Sequence, residues 1–252
     1  MSAVRRLVAW LADGPAYPPD PGDERTVSLL GLVLPVRATV ALVAVALLLL
    51  LDYHGRINGV VETVFGIAPT TAAAGMRIQG LGRVLLMGAI PIVLIVLLLR
   101  DRPSRYGLRL GDARTGLVLA VTGCLVMIPI VLLAVRTPGF AAYYAPQVEA
   151  PLDVVLTTAF DVIPAELFFR GFLLFALLRS IGPVAVVVTT LPFAFAHLGK
   201  PELETMSTLG GGLIYGWLDW RTGSVLWSGL AHTFILAFTV LASAAFVASG
   251  AG

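Results

Sequence analysis

"IPAELFFRGFLLFALL", Ile163–Leu178, is an apolar run with one acid, Glu166, and one base, Arg170, set near its middle. A charge carried to bilayer depth costs about 2.5–3.5 kcal/mol, so such side chains face a bundle interior or a watery cavity rather than lipid. The two residues are four apart with the acid first, the better order for a helical ion pair. Pro164 removes a backbone hydrogen bond and crowds the carbonyl of Phe160. A kinked helix with a carboxylate at its kink lines a cavity more readily than it serves as a plain strut. The stretch points to an all-α, polytopic transmembrane helix bundle.

Composition agrees. The 252 residues are 58% hydrophobic and 13% charged, against roughly 45–50% and about 25% in soluble domains. A net charge of +2 gives no reason to expect a nucleic-acid partner; the lipid bilayer is the partner implied. The single cysteine, Cys124, excludes a disulfide within the chain and a Cys-based metal site. The N-terminus does not read as a cleavable signal, because its short apolar stretch runs into Pro, Gly and Asp. It reads as an interfacial helix over Ala3–Ala12, with Trp10 at headgroup level, followed by a Pro-rich connector.

About 20 apolar residues cross a bilayer as a helix. Seven spans are expected: Leu30–Leu51, Val84–Leu99, Thr115–Val135, Leu152–Leu178, Pro183–His197, Met206–Leu218 and Ser224–Val247. Kinks are expected at Pro91, Pro129, Pro164 and Pro192. Sixteen of the seventeen basic residues are Arg. Ten basic residues fall before the first span or in the loops on its side, against four on the opposite side. The positive-inside rule then places the N-terminus in the cytoplasm and, with seven spans, the C-terminus outside. Tyr53–Gly82 reads as a long outside segment with room for a short surface helix. The expected organisation is an interfacial segment (1–28), three N-terminal spans (29–150) and a C-terminal core (151–248), with no internal repeat.

The remaining intramembrane polar residues cluster in depth. His197 closes the fifth span and His232 lies deep in the seventh. Counted from Arg179, Pro183 and Arg221 at 1.5 Å per residue, Glu166, His197 and His232 lie roughly 20, 21 and 17 Å from the cytoplasmic side. Each has a plainer reading: a self-neutralising pair for Glu166 and Arg170, an interfacial histidine for His197, and a hydrogen bond to a neighbouring helix for His232. Together they are the set needed to hold and deprotonate a water. One Glu and two His can ligate a divalent metal such as zinc with a fourth position open. Without metal, the Glu can act as general base and the histidines can stabilise an oxyanion.

At these residues the chain resembles the CPBP intramembrane peptidases, which include CAAX prenyl endopeptidases and bacteriocin-processing or immunity (Abi) proteins. Their pattern is Glu-Glu-x-x-x-Arg, then Phe-x-x-x-His, then His-x-x-x-Asn. "AELFFRG" supplies Glu166 and Arg170, "FAFAH" supplies Phe193 and His197, and "HTFIL" supplies His232. The resemblance covers about Leu152–Val247. It departs twice: the family's first Glu, its water-activating base, is Ala165 here, and its Asn is Leu236. "HLGKPELE", His197–Glu204, resembles a subset with a single Glu in the first motif.

The resemblance implies an intramembrane endopeptidase acting on a membrane-anchored protein or peptide, in the cell membrane of a prokaryote. In that reading Glu166 binds or activates water and Arg170 keeps it ionised. His197 and His232 bind metal or stabilise the oxyanion. Asp161, one turn before Ala165, or Glu204 beside His197, replaces the missing carboxylate. The rival readings are an inactive immunity or scaffold protein of the same family and a small transporter. Intramembrane Glu, Arg and His also mark ion paths, although a transporter would more typically show repeated halves.

Overall fold

The computed structural model describes Arg5, Ala9, Trp10 and residues 14–17, 25–137 and 139–250. The expected interfacial helix Ala3–Ala12 lies largely outside the described residues. A hairpin, β1 (Thr26–Leu29) and β2 (Leu32–Pro35), leads into helices. These are α1 (Val36–Tyr53), α2 (Asn58–Phe65), α3 (Ala72–Leu98), α4 (Ala113–Ala134) and the short α5 (Phe140–Tyr144). Then follow α6 (151–181), α7 (Val184–Phe195), α8 (Glu202–Thr222) and α9 (Leu226–Ala248). The protein is an all-α polytopic bundle integral to the membrane. Four helices, α1, α3, α4 and α9, are each long and apolar enough to cross a bilayer.

Every expected span corresponds to a helix, with three informative shifts of boundary. Leu30–Pro35 is not the start of the first span. Leu30 and Gly31 take φ of 51° and 82° and form a two-residue turn between β1 and β2. Positive φ at both central positions gives the twist that antiparallel strands need. Pro35, with no N–H to continue the ladder, hands over to α1. The second span begins at Ala72 rather than Val84. Thr71 caps it by accepting from the Ala74 amide at 3.1 Å. Arg83 is tolerated inside it because Asp52 of α1 and Asp161 of α6 neutralise it at 3.1 and 2.7 Å. Finally, the sixth helix extends past Leu218 to Thr222 and so takes in Asp219.

The centre of the bundle is α6. It begins as an α-helix, Pro151–Glu166, widens into a π-helix, Leu167–Leu174, and resumes as an α-helix, Phe175–Ile181. Pro164 breaks the α ladder just before the widening, and such π segments collect at functional sites. All eight residues of the π segment are buried. In α3, π segments flank Pro91 (Val84–Ala89 and Leu94–Leu98), whereas Pro129 lies within an uninterrupted α4. Around α6 pack α3 and α9, α4 packs on α9, and α7 packs on α8. Two glycines permit close helix–helix approaches near the centre. A Cβ at Gly80 of α3 would stand 3.3 Å from the Thr157 carbonyl oxygen of α6, and one at Gly212 of α8 would stand 2.7 Å from Thr190 of α7. Leucines and valines of α4, such as Leu117, Val121 and Leu125, remain exposed on the outside of the bundle, where lipid covers them.

Candidate active site

The end of the first α turn run and the π segment of α6 place Glu166 and Arg170 in the bundle interior, each 1% exposed. Arg170 Nη1 lies 3.3 Å from Glu166 Oε1. His232 of α9 approaches the same oxygen, with Nδ1 at 2.7 Å. Arg170 also stacks its guanidinium over the Phe193 ring of α7, 3.7 Å from the centroid, a contact that stabilises a cation away from water. The ring of Tyr215 stacks on His232 at 5.0 Å and fixes the imidazole plane.

Phe193 separates the two histidines. Its ring centroid lies 4.6 Å from that of His197 and 6.0 Å from that of His232. His197 follows α7, and its Nδ1 lies 2.8 Å from the Phe193 carbonyl oxygen. Beside these rings is a cavity of about 30 Å³, room enough for water. Its wall includes His197, His232, Asp161, Arg83 and Lys200. It also includes Ala165 and Leu236, the two positions where the sequence departs from the family pattern. The expected carboxylate and amide are thus replaced by apolar groups that face the cavity itself.

The expected site residues are therefore gathered, with one change of role. Glu166 does not line the cavity; it stands behind His232 and Arg170. Asp161 does line it, but is held by Arg83 at 2.7 Å. Glu204 stands at the rim, where it pairs with Lys200 at 2.8 Å and accepts a hydrogen bond from Tyr144.

Ring orientation decides what the histidines can do. Each Nδ1 faces an acceptor, the Glu166 carboxylate or the Phe193 carbonyl, so each Nδ1 carries the proton. In the neutral form each ring then has a lone pair at Nε2. They can accept a proton, but they donate to an oxyanion only once protonated. Among the described residues, no group of three His, Cys, Asp or Glu side chains is placed to hold a metal ion. In the expected ligand set of Glu166, His197 and His232, Glu166 Oε1 faces His232 Nδ1 and Arg170.

Sequence reasoning missed a second buried acid. Asp219 is fully buried and accepts from the Ser228 hydroxyl at 2.8 Å. One oxygen of Asp219, Oε2 of Glu166 and Nη2 of Arg170 are all buried without a hydrogen-bond partner. The available signal was "YGWLDWR", an acid four residues after Tyr215 on one helix face.

Residues 147–238 match the family model described as type II CAAX prenyl endopeptidase Rce1-like. This region is similar to that protease family. No curated protein and no solved structure matched the chain. The Rce1-like region contains Glu166, Arg170, Phe193, His197, Lys200, Asp219 and His232. Arg83, which holds Asp161, and Asp52, which pairs with Arg83, lie outside it. The N-terminal helices thus supply Arg83 and Met87 to a cavity wall otherwise built by the Rce1-like region.

Proposed function

We propose that this chain is an intramembrane endopeptidase that hydrolyses a peptide bond of a membrane-anchored protein or peptide. The family of residues 147–238 supports the protease class. The observation that carries the reaction is the Glu166–His232 contact at the wall of a water-sized cavity. Glu166 accepts from His232 Nδ1–H and fixes the tautomer, leaving Nε2 as the base. His232 removes a proton from a water in the cavity while the water oxygen bonds to the scissile carbonyl carbon. The carbonyl oxygen becomes an oxyanion, and the imidazolium is stabilised by the Glu166 carboxylate behind it. Arg83 and Lys200, the two cations of the wall, are the groups able to stabilise the oxyanion. Collapse breaks the C–N bond as His232 returns its proton to the leaving amine. Arg170 is a positioning residue that keeps Glu166 ionised.

Among the described residues no three His, Cys, Asp or Glu side chains are grouped to hold a metal ion, and no step is routed through one. We place the N-terminus in the cytoplasm and the C-terminus outside, on the arginine bias of the loops. The test is cleavage of lipid-anchored peptides by the full chain in proteoliposomes. His232→Gln is expected to lower the rate by about 10²–10⁴-fold, and Lys200→Met by a smaller factor. Cleavage unaffected by His232→Gln would overturn the assignment of the base.

A further inference from the structure

A second, much larger cavity of about 760 Å³ opens at the end of the bundle where α8 meets α9. It is enclosed on one side by the segment 14–17 and on the other by the loop before α4 and the turn after α8. Two arginines line it, Arg109 and Arg221, with Tyr17 and Thr222 beside them. Arg109 is aimed by a hydrogen bond from its Nε to the Gly223 carbonyl oxygen at 2.9 Å. Arg221 Nε is buried and has no hydrogen-bond partner. The one acid of the wall, Asp112, is engaged as the N-cap of α4, accepting from the Thr115 amide at 3.1 Å. The balance of the wall is two cations to one anion.

The depth of this cavity is marked by aromatic residues. The chain has four tryptophans, and all four gather at this end. Trp220 donates its Nε1–H to the Pro15 carbonyl oxygen at 3.1 Å, and Trp227 donates to that of Leu110 at 2.9 Å. Trp10 packs edge-on against Trp217 at 5.9 Å and lies 5.3 Å from the Arg221 guanidinium. Tryptophans collect at the membrane–water interface. Basic pockets between helices at that level suit lipid phosphates. This is also the arginine-rich side of the protein, where anionic lipid is expected.

We propose that the cavity binds the phosphate of an anionic lipid headgroup, with Arg221 and Arg109 as its cationic contacts. This site is independent of the peptidase reading, because it shares no wall residue with the smaller cavity and its lining contains none of the groups assigned to catalysis.

The test is titration of the purified full chain in mixed micelles with short-chain phosphatidylglycerol or phosphatidylcholine, read by tryptophan fluorescence. Phosphatidylglycerol should bind saturably and more tightly than phosphatidylcholine. Arg221→Gln should weaken it about fivefold, the effect of one arginine near a lipid surface. Arg136→Gln, an exposed arginine elsewhere, should leave it unchanged. Arg221 is the primary variant because its Nε supports no other group, whereas Arg109 also holds the Gly223 carbonyl. Equal binding of the two lipids, or equal weakening by Arg136→Gln, would overturn the site. Inorganic phosphate or glycerol 3-phosphate matching the lipid at equal concentration would overturn the lipid as the source of the phosphate.

Discussion

Glu166→Gln separates the catalytic from the structural role of the central carboxylate. Glu166 and Arg170 are each 1% exposed, and the pair is closed by a 3.3 Å contact. Removing the acid strands a buried guanidinium, which costs about 3–5 kcal/mol of stability. For a chain of this size, that is a fall of roughly 6–20 °C in melting temperature. The same substitution removes the charge that stabilises the His232 imidazolium across 2.7 Å, so cleavage falls by about 10²–10⁴-fold. The two losses have different remedies. Adding Arg170→Met removes the stranded charge and keeps an apolar stem against Phe193, so the double variant recovers much of its melting temperature. Its cleavage stays low, because no carboxylate stands behind His232. Thermal unfolding and cleavage of a lipid-anchored peptide, measured on both variants, form the assay. Cleavage that returns together with stability would refute the reasoning, since Glu166 would then serve only the fold.

Ala165→Glu places a carboxylate on the cavity wall and should raise cleavage, more so combined with Leu236→Asn; rates at or below wild type would show that these positions do not limit the reaction. Gly212→Val drives a side chain into Thr190, 2.7 Å from the first added carbon. It should cost about 1–3 kcal/mol of stability, and Thr190→Ala in the same chain should return part of it, as thermal unfolding would show. Hydrogen bonds from Arg77 and then Thr71 hold the Glu149 carboxyl below its ordinary value. A depressed carboxylate stabilises the fold above its ordinary pKa and loses that contribution as pH falls through the folded value. Glu149→Gln should therefore lower the melting temperature near neutral pH and flatten its fall below about pH 4.5; parallel curves for the two proteins would contradict this.

What the sequence made legible follows from cost. Glu166, Arg170 and His232 stand out because lipid would not tolerate them, and their helical depths could be counted along the chain. The widened turn of α6 was foreshadowed only by Pro164. Leu30–Pro35 was misread because a hairpin of leucine and valine is as apolar as a helix, and hydropathy carries no information about φ at Leu30 and Gly31. The helix beginning at Ala72 lies partly in the expected outside segment Tyr53–Gly82, because the neutralisation of Arg83 by Asp52 and Asp161 depends on partners remote in sequence. Asp219 lies one residue beyond the expected sixth span, whose helix runs on to Thr222. The role of Glu166 depends on where the His232 ring points, a tertiary fact that composition and spacing do not encode.

The most direct measurement is mass spectrometry of peptide products formed in ¹⁸O-labelled water by the full chain in proteoliposomes. The account predicts a single cut near the membrane anchor, one ¹⁸O in the new carboxylate, and loss of that product in His232→Gln. Unlabelled products, or a labelled product formed equally by His232→Gln, would contradict it.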